Sequence, residues 1–243
     1  MTHTNLSVRE PADYRSARLL AILAGILILV VVFWRLGQPT FWDPDEAHYA
    51  ETTREMIARG DWWAPYYNGQ PFFDKPMLFH QLQGIAMLAV GQNELGARLV
   101  PAVAALGVIA ITFLFATAMT ERAVGIVASL LMASNIGVFA LARYAILDTL
   151  FTMFTFGGAA ALTVAALGDR RRLQWVGYIA IALGVLTKGP LALVLCGLTL
   201  LIAAALSADA RRRLLGLNWI AGLAVVIVLA APWFVYMYAR FGQ

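Results

Sequence analysis

The sequence predicts an all-α polytopic membrane protein: a transmembrane helix bundle with a short amphipathic helix region after its first span. Three observations carry that expectation. Of 243 residues, 61% are hydrophobic and only 13% charged, against roughly 45–50% and about 25% in ordinary soluble domains. The apolar residues gather in runs near the ~20 residues that cross a hydrocarbon core. One long polar segment, rich in Trp, Tyr, Pro, Asp and Gly, separates the first run from the rest. Such a composition excludes a disordered chain, a secreted mini-scaffold and a cytosolic enzyme. Eighteen basic against fourteen acidic residues leave a net charge of +4, which in a membrane protein points to cytoplasmic loops and not to nucleic acid. The lone Cys196 lies in an apolar run, so neither an intrachain disulfide nor a cysteine zinc site is possible.

Residues 1–18 are polar, with Arg9, Arg15 and Arg18, and read as a cytoplasmic N-terminus. The uncharged run that follows has no small-residue cleavage site, so 19–36 is expected to be a retained first span. Residues 37–97 are expected to be an interfacial, periplasmic loop, with an amphipathic helix over 44–59 and a short membrane segment over 76–91. The remainder, 98–243, reads as the helix bundle, with apolar runs at 98–119, 123–142, 149–167, 174–187, 190–206 and 217–238. Six to eight spans follow in all. The basic N-terminus, Arg170-Arg171-Arg172 and Arg211-Arg212-Arg213 should share the cytoplasmic side. Five apolar runs separate the first two, an odd number, so one should fail to cross. The 76–91 run is the candidate, because sixteen residues reach only about 24 Å against a core of ~30 Å. It is expected to be re-entrant or tilted, which puts the loops near Tyr144–Asp148 and Thr187–Pro190 on the outer face.

Asp43 reads as an N-cap of the amphipathic helix, Pro44 as its first residue, Glu46 as the reciprocal member of a capping box and Gly60 as its stop. Helical spacing puts Asp45, Tyr49, Thr53 and Met56 on one face and Glu51, Arg54, Glu55 and Arg59 on another. Asp45 is thus an acid on the apolar side. It either lends negative charge to the helix N-terminus or serves as a general base for an acceptor hydroxyl. His48 lacks an H-x-x-x-H companion and reads as structural or solvated. In Phe72-Phe73-Asp74-Lys75-Pro76, Lys75 either snorkels and pairs with Asp74 or neutralises a phosphate at headgroup level; Asp74 could ligate a divalent metal. Arg143, Asp148 and Lys188 interrupt apolar sequence. Such residues anchor a helix end or line a cavity, with function the default hypothesis. Asp45, Lys75, Arg143, Asp148 and Lys188 are expected to form one outward polar pocket. A transporter built on Asp148 and Lys188 would need an inverted repeat, and none is seen.

The strings D-P-D-E-A-H-Y-A-E (43–51), R-G-D-W-W-A-P (59–65), F-D-K-P (73–76), R-Y-A-I-L-D-T (143–149) and L-T-K-G-P (186–190) resemble, in order, the bacterial membrane glycosyltransferases of the protein mannosyltransferase superfamily. Those similar to the lipid A aminoarabinose transferase are the nearest in pattern. The resemblance implies a GT-C fold in the bacterial inner membrane. It also implies transfer of a sugar, with inversion, from a polyisoprenyl-phosphate donor to a lipid or protein acceptor at the periplasmic face. On it, Asp45 matches the acid that activates the acceptor, with Glu46 beside it. Lys75 matches the lysine near the donor phosphate, a charge that Lys188 and Arg143 would share. Asp148 matches an acid at a later helix end, and Asp43 and Tyr49 fall among the site-orienting positions. Glutamate is common in the family where Asp74 stands, which argues against a metal there. Enzymes of this type are about twice as long, so the chain is expected to be an N-terminal half, either a shortened product or one needing a partner for the remainder.

Overall fold

Lipid offers the backbone no hydrogen-bond partner, so the apolar runs must satisfy their N–H and C=O groups internally, as helices. The computed structural model describes residues 12–42, 44–168 and 170–242. It divides into two units, residues 1–34 and 35–243. In the first, α1 (Ala12–Phe33) begins seven residues ahead of the expected span and ends three residues before its expected limit. Residues 12 to 18 therefore belong to the same helix as the first apolar run.

The second unit opens with α2 (Asp45–Arg59), followed by a minimal hairpin, β1 (Tyr66–Tyr67) and β2 (Gln70–Pro71), and then α3 (Leu78–Val90). The bundle comprises α4 (Glu94–Met119), α5 (Arg122–Ala133), α6 (Ile136–Ala142), α7 (Asp148–Leu167), α8 (Leu173–Lys188), α9 (Leu191–Leu206), α10 (Ala208–Leu215) and α11 (Trp219–Phe241). Among the described residues three helices, α4, α7 and α11, are long and apolar enough to cross a membrane unaided, or four if α5 and α6 form one broken span. The expected six to eight spans are thus fewer by this measure, because α8 and α9 have sixteen residues each, about 24 Å. The 123–142 run, expected to be continuous, bends by 63° between α5 and α6. Asn135 causes the break: its side chain accepts hydrogen bonds from the backbone N–H of Gly137 and Val138 and so starts a new helix. The thirteen residues of α3 reach about 20 Å, short of the hydrocarbon core.

The antiparallel pair α7 and α8 forms the centre, with α4 against α7 and α11 against α8. Small residues let the central pair approach. A Cβ on Gly177 would lie 2.7 Å from Leu162 Cγ and 3.1 Å from the Gly158 carbonyl oxygen, the close backbone packing on which helix association in lipid depends. Phe151, Leu162, Ile181, Val185, Leu200 and Trp233 fill the core around them.

The polar stretch before α4 is tied down at several points. Asn68 and Gly69, at φ 50° and 76°, make the turn that suits a two-residue hairpin, and the Gly69 N–H donates to the Glu55 carboxylate at 3.0 Å. Trp233 of α11 donates its indole N–H to the Trp63 carbonyl at 2.9 Å, and Arg240 pairs with Asp61 at 2.7 Å.

The strongest tie is Glu46 to Arg98. Both are buried, at 0% and 2% exposure. Arg98 spends all five N–H donors: Nε and one Nη2 hydrogen on the two Glu46 oxygens (2.8 and 2.7 Å), the others on the carbonyls of Leu36, Pro39 and Thr40. Glu46 also accepts from the backbone N–H of Trp42 at 2.9 Å and of Ala145 at 2.7 Å. The expected capping box is corrected here. Pro44 is the N-cap residue, one position outside the helix, with no side-chain cap bond, and the Glu46 carboxylate reaches back to Trp42. Asp43 lies outside the described residues. The stop at Gly60 is as expected, in left-handed conformation at φ 67°.

Removing either partner leaves a buried charge unpaired, so Glu46→Gln or Arg98→Met should lower stability by about 3–5 kcal/mol, read as thermal unfolding in detergent. Burial pushes the Glu46 carboxyl up, but Arg98 and the two backbone donors outweigh it and hold the group below its ordinary 4.5. Its contribution is therefore complete above pH 4.5 and lost as pH falls through the lower folded value. The Glu46→Gln protein should lose less stability than the parent on acidification below pH 4.5.

Candidate active site

Tyr49 is the common neighbour of the acids singled out in the sequence. Its ring is half-buried in α2, edge-on to Phe79 with centroids 5.7 Å apart and stacked on His80 at 5.6 Å. Burial pushes its phenol up first, and the negative charges of Asp74, Asp148 and Asp45 push it further, in that order. The phenol therefore keeps its proton across the physiological range. Those three carboxylates come from three separate stretches of chain.

Two of them carry a lysine. Asp148 lies in the first turn of α7 and Lys188 in the last turn of α8, each at the helix end that favours its charge. The antiparallel packing brings them into an ion pair, and the Lys188 ammonium stands 5.6 Å from the Phe151 ring centroid. Lys75 pairs with Asp74 at 3.0 Å and donates to the Asp74 carbonyl at 3.2 Å. Both ion pairs stay within reach of solvent, with the lysines 25% and 26% exposed.

Asp45, at the start of α2, has no lysine. The Tyr144 phenol is its neighbour: burial raises that group's pKa first, and the charges of Asp45 and Glu46 raise it further. Thr53 and Met56 face inward as the spacing predicts, but Asp45 sits at the open end of that face and is exposed. The acid on the inward side is Glu46 instead. Its oxygens are all spent on Arg98 and two backbone donors, which is why a charge there is tolerated. The pairing of Glu46 with Asp45 as catalytic acids therefore does not match its surroundings: Glu46 holds the backbone from which Asp45 projects.

Arg143 stands beside the cluster. Its guanidinium lies 5.6 Å from the Phe139 ring centroid, and burial, then the charge of Arg98, lowers its pKa. With Tyr144, Trp42, Leu36 and Arg98 it lines a largely apolar cavity of about 410 Å³. Asp74 gains no companion ligands: among the described residues no group of three His, Cys, Asp or Glu could hold a metal ion. His48 is stacked on Tyr67 at 3.8 Å, in keeping with a structural role.

Three features escaped the sequence reading. Arg98 opens an apolar run, and an arginine there is itself the signal. Tyr144 lies inside R-Y-A-I-L-D, where its charged neighbours are the stronger signal. The buried chain in which Gln83 donates to the Ala97 carbonyl while Thr53 bridges Gln83 and His80 has no local signature, because its members are 27 and 30 residues apart.

Fold and site define a polytopic helical membrane protein with a two-signed cluster of charges around Tyr49 at one end of its bundle. The chain belongs to the dolichyl-phosphate-mannose-protein mannosyltransferase family, whose model matches residues 25–242. It is 31% identical over 219 residues to an undecaprenyl phosphate-alpha-4-amino-4-deoxy-L-arabinose arabinosyl transferase of Proteus mirabilis, covering 87% of this chain and 39% of the relative. Among solved structures it resembles ArnT from Cupriavidus metallidurans in the apo state (TM-score 0.87, 26% identity) and bound to undecaprenyl phosphate (TM-score 0.81, 27% identity). Each match covers 93% of this chain and 43% of the solved one. The fold is therefore that of the GT-C membrane glycosyltransferases, in a multi-pass bacterial membrane protein. The chain spans about two fifths of the length of these relatives.

The half-exposed pair Lys188–Asp148 should contribute little to stability. In a double-mutant cycle with Lys188→Met and Asp148→Asn, the coupling read from thermal unfolding should be below about 1 kcal/mol.

Proposed function

We propose that the chain carries the reaction centre of a membrane glycosyltransferase that moves a sugar from a polyisoprenyl-phosphate donor to a hydroxyl of a lipid or protein acceptor. The likeness to a structure holding undecaprenyl phosphate, over 93% of this chain, is the observation that carries this reading. The paired charges around Tyr49 support it. Asp45, the carboxylate without a lysine, takes the proton of the acceptor hydroxyl. The acceptor oxygen then attacks the anomeric carbon from the face opposite the phosphate, the bond from that carbon to the phosphate oxygen breaks, and polyisoprenyl phosphate leaves with the electron pair. Lys75 and Lys188 turn from Asp74 and Asp148 toward the leaving phosphate and absorb its charge. Arg143 contributes from the rim, and Tyr49 and Tyr144, set among these carboxylates, orient the site. The lysine cations stabilise the departing phosphate, so no step in this reading draws on a divalent metal.

The cluster faces the periplasm in this reading. Arg170-Arg171-Arg172 follow the C-terminal end of α7, at the opposite end of that helix from Asp148, and basic loops stay cytoplasmic.

General-base catalysis supplies about 10²–10⁴-fold. In membranes given polyisoprenyl-phosphate-linked sugar and lipid A, Asp45→Asn should lower transfer by at least about hundredfold, with the amount of inserted protein unchanged; retained turnover rejects Asp45 as the base. Lys75→Gln should weaken binding of undecaprenyl phosphate to the purified chain by about tenfold, the scale of one charge-assisted contact; equal binding would remove Lys75 from the phosphate site.

A further inference from the structure

A second cavity, of about 440 Å³, opens between α4, α7 and α8. It lies toward the C-terminal ends of α4 and α7 and the N-terminal end of α8, whereas Asp148 and Lys188 lie at the other end of the α7–α8 pair. The twenty residues of α7 separate the two ends by about 30 Å. Its walls are apolar, with Phe115, Met153 and Val176 among them, and Gly157 and Ala161 leave its floor open. Arg170 is the single charged residue in the lining. It is exposed, and among the described residues it has no ion pair. Arg171 and Arg172 follow in sequence, and the end of α10 lies against the first of them: a Cβ on Gly216 would lie 3.2 Å from Arg171 Nη2; Arg213 of α10 is itself paired with Asp209 at 3.0 Å.

We infer that this groove is a binding site for an anionic phospholipid, with one acyl chain between α4, α7 and α8 and the phosphodiester headgroup on Arg170. A lipid tail is the occupant that the chemistry selects. The walls offer no hydrogen-bonding contact to a polar ligand, while the mouth presents one exposed cation at the depth where a bundle ends and headgroups begin. Basic pockets between helices on the cytoplasmic side recognise such headgroups, and each basic residue near the surface contributes about 1 kcal/mol, a preference of about fivefold. The site shares no residue with the cluster around Tyr49 and stands whether or not the transferase reading does.

The 243-residue chain, reconstituted in nanodiscs of equal phosphatidylglycerol and phosphatidylethanolamine and released into mild detergent, is weighed by native mass spectrometry with its lipids attached. Phosphatidylglycerol should be enriched about fivefold in the retained lipid, and Arg170→Gln should return the ratio to about one. Ala161→Phe fills the groove without touching Arg170 and should at least halve the lipid retained. A phosphatidylglycerol carrying a photoreactive group midway along its acyl chain should crosslink to Met153, Gly157 or Val176. Retained lipid at the bulk ratio, enrichment that survives Arg170→Gln, retention unchanged in Ala161→Phe, or crosslinks spread evenly over the lipid-facing helices would each overturn the assignment.

Discussion

The second unit depends on one buried ion pair. Glu46 belongs to a helix lying before the bundle and Arg98 to the first turns of α4, fifty-two residues later in the chain. Between them they satisfy three backbone carbonyls of the 36–40 loop and two backbone N–H groups, one of which belongs to the Arg143–Asp148 stretch. A loop that carries unsatisfied backbone polar groups cannot be buried. Here the arginine fork and the carboxylate supply those partners, and three remote pieces of chain become one rigid floor. Buried pairs are expensive to desolvate and rarely add net stability over an apolar replacement. What this pair supplies is geometry: it holds Ala145 close to α2, which brings Tyr144 to Asp45.

The ion pairs around Tyr49 are of a different kind. Lys75–Asp74 and Lys188–Asp148 remain partly hydrated, joined by adjacency or by helix ends, and each lysine makes few bonds. A cation that is fully spent, like Arg98, has nothing left for a ligand. One held loosely by a single carboxylate can exchange it for a phosphate at small cost. The contrast between a saturated arginine and two under-used lysines, all within one unit, distinguishes scaffold from chemistry more clearly than charge alone. The two ends of the bundle divide along the same line. At one end the charges are mixed and surround Tyr49; at the other an exposed arginine, Arg170, stands beside an apolar groove.

Much of this was legible in the residues. Apolar runs near membrane length located α4, α7 and α11, Gly60 stopped α2 where a left-handed residue was needed, and the motif strings pointed to the family that the model match shows. Asp45, Asp74, Asp148, Lys75 and Lys188 stand out in the sequence without any knowledge of their neighbours, because ionisable groups in or beside lipid are costly. Asn135 carries no such signal. A polar residue in the middle of an apolar run looks harmless until its side chain caps a helix and bends the span by 63°. Glu46 reads locally as a capping-box residue because that motif is a pattern of near neighbours, whereas its partner Arg98 lies fifty-two positions away.

Composition and periodicity alone determined that the solvent is lipid, that the architecture is helical and which residues bear unexplained charge. These are properties of a residue and its neighbours within a few turns, and a linear string records them. Which acid is buried and which is free was decided only by tertiary structure. Asp45 and Glu46 are adjacent, chemically alike and equally placed to begin a helix. The arrival of Arg98 from α4 made one of them scaffold and left the other to Tyr144, because burial and countercharge are set by contacts that no local pattern encodes.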